Sequence, residues 1–402
     1  MLKNKSKSTS IVILLINIVI YISLTGCSNV DDTQLEQNEV FALINGTLID
    51  GTGSVPVLNA ALIIQAGCIE EIGQNSEIEI PDHAVIINLD GGTILPGFFN
   101  THVHSDLNES DLKAWAKAGV TTVRDLGYIG TNSHEQLFLD RNALNTDLYN
   151  ARMVAAGPLV TTIGGYGNFG VASVEDARFK VQQLIDSGAD LIKIAIEDNL
   201  QGRTWPMLSL EEITAIVNTA HENGVPVSAH ISRSTHLILA IEAGVDDVDH
   251  MIVDILPDSL ISQMIENDIY WVPTLELWNG VSQMYSINWD DIAISNLRRF
   301  VSAGGKVAIG TDYGGYITEF DLGMPISEIR LMAEAGMSSS QIIVAGTKNA
   351  AYVCNLEEKF GTLEKGKYAD IIVVENNPLD DIEALTVIQM VIHKGTIIHT
   401  VF

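Results

Sequence analysis

Asn100-Thr101-His102-Val103-His104 is where side chains capable of chemistry first crowd together. The segment follows an apolar run, residues 93–99, that reads as a strand. Side chains alternate across a strand, so positions two apart point the same way. His102 and His104 therefore leave one strand end together, pre-spaced to share a metal ion. For a bare His-x-His, two polar residues at a solvated strand end would be the better reading. Further candidate ligands recur downstream and shift that balance. Lys193 lies within the run 191–196, His230 closes 225–230, His250 closes 248–250 and Asp312 closes 307–312.

These residues need a scaffold that gathers strand ends. Residues 94–359 alternate strand-like and helix-like stretches, with strands expected to end near His104, Arg124, Ala156, Ile196, His230, His250, Thr274 and Asp312. Helical apolar spacing recurs over 111–117, 174–187, 211–222, 237–242, 259–267 and 290–301. Eight such units predict an α/β fold, a closed (β/α)8 TIM-type barrel, in which chemistry occupies the C-terminal strand ends. A doubly wound open sheet is the alternative, although no Gly-x-Gly-x-x-Gly opens a helix after a strand. In the barrel all six side chains share one mouth. Singly, each has a plainer reading. Lys193 could pair with Glu197 or Asp198, His230 or His250 could be a satisfied strand-end histidine, and Asp312 could cap a helix. Six such coincidences in one repeat make the joint plain reading weak.

The flanks differ. Residues 39–93 and 360–402 are short, alternating and rich in turn residues, and predict one small β-sandwich built from both chain ends around a barrel of residues 94–359. The chain has 402 residues and is 47% hydrophobic, enough for a large core. It carries 22 Lys+Arg against 51 Asp+Glu, a balance that argues against nucleic acid as a partner. Residues 1–26 combine a lysine-rich start with an apolar stretch, 11–24, short for a membrane span. Leu24-Thr25-Gly26-Cys27 resembles a bacterial lipobox. That resemblance implies a removable signal, lipid on Cys27, a tether over 27–38, and an extracytoplasmic location on a bacterial membrane. Cys68 and Cys354 show no metal-ligand spacing and are expected to be buried small apolar residues, with a single long-range disulfide as the alternative.

Taken together, the motifs resemble the amidohydrolase superfamily, in its imidazolonepropionase-like and Xaa-Pro dipeptidase-like branch. The resemblance rests on His102-Val103-His104, Lys193, His230, His250 and Asp312. It extends to Gly119-Val120-Thr121-Thr122-Val123-Arg124-Asp125, Gly310-Thr311-Asp312 and the tail from Gly361 to Asp370. It implies two divalent metal ions, zinc by ligand type. His102, His104 and Asp312 would hold one ion, and His230 and His250 the other. A CO2-derived carbamate on Lys193 would bridge them. A metal-activated hydroxide would attack an amide-type C–N bond of a small molecule, with Asp312 as the catalytic proton carrier. The same site could instead serve a phosphotriesterase or lactonase, and a metal- or ligand-binding lipoprotein without turnover is the reading from another class. An oligomer is compatible with all three.

Two departures bear on the substrate. The loop after strand 3, often Gly-Gly-His-Gly in that branch, is here Gly164-Gly165-Tyr166-Gly167. After His230 the usual Ala-x-Gly becomes Ile231-Ser232-Arg233. Tyr166 and Arg233 are therefore the candidate substrate contacts, Arg233 because its fork suits a carboxylate, though it reads equally as a surface residue. His83, His134, His221, His236, His393 and His399 match no motif position and read as structural or exposed.

Overall fold

The computed structural model describes residues 39–105 and 107–401. Cys27, the signal and the tether lie outside them. The two chain ends build one eight-stranded sheet. Its order is Thr396–Thr400, Ile388–His393, Ile371–Val374, Thr93–Pro96, Val40–Leu48, Val57–Gln65 and Cys68–Gln74, with Val85–Asn88 paired beside Val40–Leu48. Leu43, Leu62, Ile64, Ile371, Val373 and Ile392 share its apolar core, so residues from both chain ends bury one another. The sheet doubles back until two turns meet. A Cβ on Gly395 would fall 2.4 Å from the Gly67 Cα, an approach only glycine permits.

The expected strand over 93–99 is two strands. Thr93–Pro96 pairs with Ile371–Val374 in the sheet, and Phe98–Val103 opens the barrel. Gly97 joins them where a Cβ would come within 2.3 Å of Thr121 Oγ1.

The barrel strands follow as Phe98–Val103, Val120–Asp125, Arg152–Ala155, Ile192–Ala195, Val227–His230, Asp247–Asp249 and Tyr270–Val272. The first to third strands pair in parallel, as do the fourth to seventh, and the third meets the fourth through the bond from Asp190 N–H to Ala155 O. Val160–Thr162 also pairs with the fourth strand, at Ile194. The eighth position, 307–313, is extended chain held by isolated bridges, Trp271 to Val307 on one side and Val103 to Tyr313 on the other. The bonds Thr101 N–H to Ile309 O and Asp312 N–H to His102 O close the ring.

Six helices fall where apolar spacing places them, among them Val174–Ser187, capped by Ser173, and Leu210–Glu222, where Ser209 and Glu212 form a capping box. Among the described residues five more helices, His134–Leu144, Leu275–Tyr285, Ile326–Glu334, Ser339–Gly346 and Lys348–Val353, lie outside the stretches singled out from the sequence. Leu275–Tyr285 buries Leu275, Leu277, Trp278 and Val281. Cys354 is a free, buried thiol, so the Cys68–Cys354 disulfide is not formed. Cys68 is half-buried rather than buried, at the start of a strand.

Candidate metal centre

The C-terminal strand ends bring the sequence-selected side chains to one place. His102 and His104 leave the first strand, and their Nε2 atoms lie 3.1 and 3.0 Å from Asp312 Oδ1. Ligands of one tetrahedral zinc are roughly 3.3 Å apart, given metal–ligand bonds of about 2.0–2.1 Å. His102, His250 and Asp312 each offer a ligand atom within 4.8 Å of the others. Ring centroids are 4.7 Å apart for His102 and His250 and 4.6 Å for His230 and His250. His230 Nε2 is buried with no hydrogen-bond partner, a state a metal ion would relieve. The residues present therefore fit divalent ions.

Local geometry aims these groups. The rear nitrogens of His102, His104 and His250 are tied down, which fixes the tautomer presented forward. His102 Nδ1–H donates to Asp249 Oδ1 at 3.0 Å, and His104 Nδ1–H to Gly127 O at 3.2 Å. His250 Nδ1 lies 3.0 Å from Thr274 Oγ1. His250, Thr274 and Asp312 adopt left-handed backbone, with φ of 70°, 48° and 67°. Such strain at three strand ends clusters at functional sites, and a β-branched threonine adopts it rarely.

Gly310, two residues before Asp312, explains its own identity. A Cβ there would fall 2.4 Å from Val272 Cγ1 and 2.8 Å from His102 Cβ. Gly310→Ala should push His102 off its position and destabilise the fold by about 1–3 kcal/mol. Bound metal should fall with it, as read by metal analysis beside thermal unfolding. Unchanged metal content and stability would remove that role.

Beneath the mouth lies a buried ionic layer. Arg124 forms a fork with Asp247, Nη1 to Oδ2 at 2.8 Å and Nη2 to Oδ1 at 2.9 Å, and reaches Asp249 at 3.5 Å. All three are wholly buried. Lys193 pairs with Asp249, not with Glu197 or Asp198. The reason is layering: inward side chains from non-adjacent strands meet inside a barrel. Burial alone would raise the Asp249 carboxyl, but Lys193, His102 and Arg124 hold it well below the usual range. Burial lowers the Lys193 amine, with Asp249 opposing. Burial, with His230 and His102, keeps His250 well below the ordinary imidazole value, hence neutral and able to ligate. For His104 burial lowers and Asp312 raises, leaving it at about 9 without a metal. Burial would also raise Asp312, but His102 and His104 keep it ionised.

A model of the amidohydrolase family matches residues 93–398, about three quarters of the 402 residues. The chain belongs to the amidohydrolase family. As an amidohydrolase it is a hydrolase acting on carbon–nitrogen bonds, and its barrel is the family's architecture. Ochratoxinase from Aspergillus niger is 26% identical, over 89% of this chain and 86% of that one. Imidazolonepropionase from Clostridium tetani is 22% identical, over 85% and 91%. A solved Xaa-Pro dipeptidase with bound methionine superposes with a TM-score of 0.79 at 26% identity, covering 89% of this amidohydrolase and 99% of that chain.

The candidate substrate contacts differ from each other. Tyr166 stacks on His230, centroids 4.5 Å apart, and meets Trp205 edge-on at 5.1 Å. Burial, with Asp312 and Glu197 nearby, raises its phenol, which stays protonated. Arg233 is half-buried and donates from Nε and Nη2 to Asn199 O, both at 3.3 Å. Residues the motifs pass over also stand at the centre. Thr274 and Asp249 position imidazoles, and Glu197 Oε2 lies 3.4 Å from His230 Nε2. Their only signal in sequence is adjacency to a strand end. His236, expected to be structural or exposed, is 2% exposed and faces Glu197 and Asp198.

Proposed function

We propose that this amidohydrolase is a binuclear metallohydrolase cleaving an amide-type bond of a small molecule: an N-acyl amino acid, a dipeptide or a cyclic amide. One observation carries the reading. Two imidazoles and a carboxylate converge at about 3 Å, with two further imidazoles beside them. The names of the relatives, a dipeptidase and an imidazolonepropionase, support that substrate range.

His102, His104 and Asp312 would hold one ion, and His230 and His250 the other, with a carbamate on Lys193 between them. Bound ions supply a Lewis acid for the carbonyl and make a water acidic at neutral pH, and the ligand set suits zinc. Asp312 is ionised and at the mouth, so its carboxylate can take a proton from the attacking water and return it to the leaving nitrogen. Asp249 and Thr274 hold the His102 and His250 rings in place. The Tyr166 ring offers an apolar face beside His230 for the substrate, and its phenol can donate a hydrogen bond.

A panel of N-acyl amino acids, dipeptides and cyclic amides, assayed with bound metal measured in parallel, tests this. Turnover of phosphotriesters or lactones alone would move the reading to that chemistry. A metal-loaded protein inert on all of them would make it a binder. Lys193→Ala should lose about 10²-fold or more in activity and recover part of it with added short carboxylic acids. Full activity without rescue would count against the carbamate. We also place the protein at a bacterial membrane through lipid on Cys27. Cys27→Ser should release it from membranes with a matching loss of mass, and membrane-bound protein of unchanged mass would end that placement.

A further inference from the structure

Four buried side-chain atoms with no hydrogen-bond partner lie on neighbouring residues around His230: Glu197 Oε2, His230 Nε2, Ser232 Oγ and His236 Nδ1. Glu197 is 1% exposed and His236 is 2% exposed. Buried polar atoms are nearly always paired, so atoms of Glu197, His230 and His236 left without a well-aligned hydrogen bond among the described residues mark a place for a further partner. A metal at His230 accounts for that nitrogen and can also meet Glu197 Oε2, 3.4 Å away from it. It does not account for His236.

The His236 ring is held as the motif histidines are held. His236 Nε2–H donates to Asp198 Oδ1 at 3.1 Å. That bond fixes the tautomer and leaves Nδ1 with a free lone pair. His236 Nδ1 faces Glu197 Oε2 across 3.9 Å, too far for a hydrogen bond. Glu197 is aimed in turn: its Oε1 accepts the Asn199 N–H at 2.9 Å, leaving Oε2 forward. A carboxylate behind an imidazole is the arrangement that orients a metal-ligating histidine. Glu197, Asp198 and His236 also each offer a ligand atom within 4.8 Å of the others, and they share no residue with the His102, His250 and Asp312 group.

We propose that Glu197 Oε2 and His236 Nδ1 are ligands of a further divalent transition-metal ion adjoining His230, with Asp198 orienting His236. Imidazole with carboxylate favours zinc, manganese, iron or cobalt over calcium. Glu197 and Asp198 lead into the hairpin of Asn199–Leu200 and Arg203–Thr204, and His236 lies on the helix Ser234–Ala243. An ion here would fasten that hairpin, which carries on to Trp205 against Tyr166, to the helix after the fifth strand.

Crystals of the whole protein loaded with Zn2+ or Co2+ should give an anomalous-scattering peak between Glu197 and His236. His236→Phe, which keeps a buried ring, should lower bound metal by about one equivalent per chain. An ordered water alone at that position, with unchanged stoichiometry in His236→Phe, overturns the proposal. The native crystal decides the matter even if the variant does not fold. Peaks at His102 and Asp312 without one here would end this inference and leave the binuclear reading standing. A peak here with none at His102 and Asp312 would do the reverse.

Discussion

Asp312→Asn lowers turnover by about 10²- to 10⁴-fold, the range associated with losing a positioned proton carrier. Asparagine isolates the effect because it tolerates the left-handed backbone at this position, φ 67°, and keeps an oxygen at Oδ1. What is lost is the negative charge that His102 and His104 keep ionised despite burial. Two consequences are separable. On the proposed mechanism the proton route between water and leaving nitrogen would close, and an ion shared with His102 and His104 would be held less tightly. Excess metal in the assay should therefore restore occupancy without restoring the rate. A variant working within tenfold of the parent at full occupancy would mean that another group carries the proton.

Arg124→Met destabilises the protein by about 3–5 kcal/mol, the cost of removing one partner from a buried ion pair. The guanidinium is fully buried, forks onto Asp247 and also donates to Thr101 O at 2.6 Å and Val353 O at 2.9 Å. Methionine fills most of the volume, so packing loss is the smaller effect and the unpaired Asp247 carboxylate the larger one. Chemical denaturation of parent and variant reads the difference. Asp249 would keep Lys193 but lose Arg124, so the His102 ring it anchors should also loosen and bound metal should decline. A loss below about 1 kcal/mol would mean the layer is wet or compensated.

The periodicity that exposes the barrel comes from burial on one side. Val174–Ser187 and Leu210–Glu222 each bury an apolar stripe and turn the opposite, polar face to solvent, so their sequence spacing is readable. Lys348–Val353 is only six residues long, less than two turns, so it leaves no period to read. The doubling of residues 93–99 into two strands hides for a different reason. Both halves are apolar, and what divides them is pairing with distant partners, Ile371–Val374 for one and Val120–Asp125 for the other.

The amino-acid sequence by itself determined the ligand types and their strand-end positions. A two-residue repeat forces His102 and His104 onto one side, and the recurrence of strand and helix requires a common mouth. Which group faces which was decided only by the closed barrel. Lys193 meets Asp249 rather than the nearer Glu197, and Arg124 meets Asp247 from 123 residues away. His236 turns from an unassigned helix residue into a buried imidazole aimed at Glu197. Local chain geometry fixes the direction of a side chain relative to its own strand. Its partners depend on the curvature and register of strands far along the chain, and those distances exist only once the ring has closed.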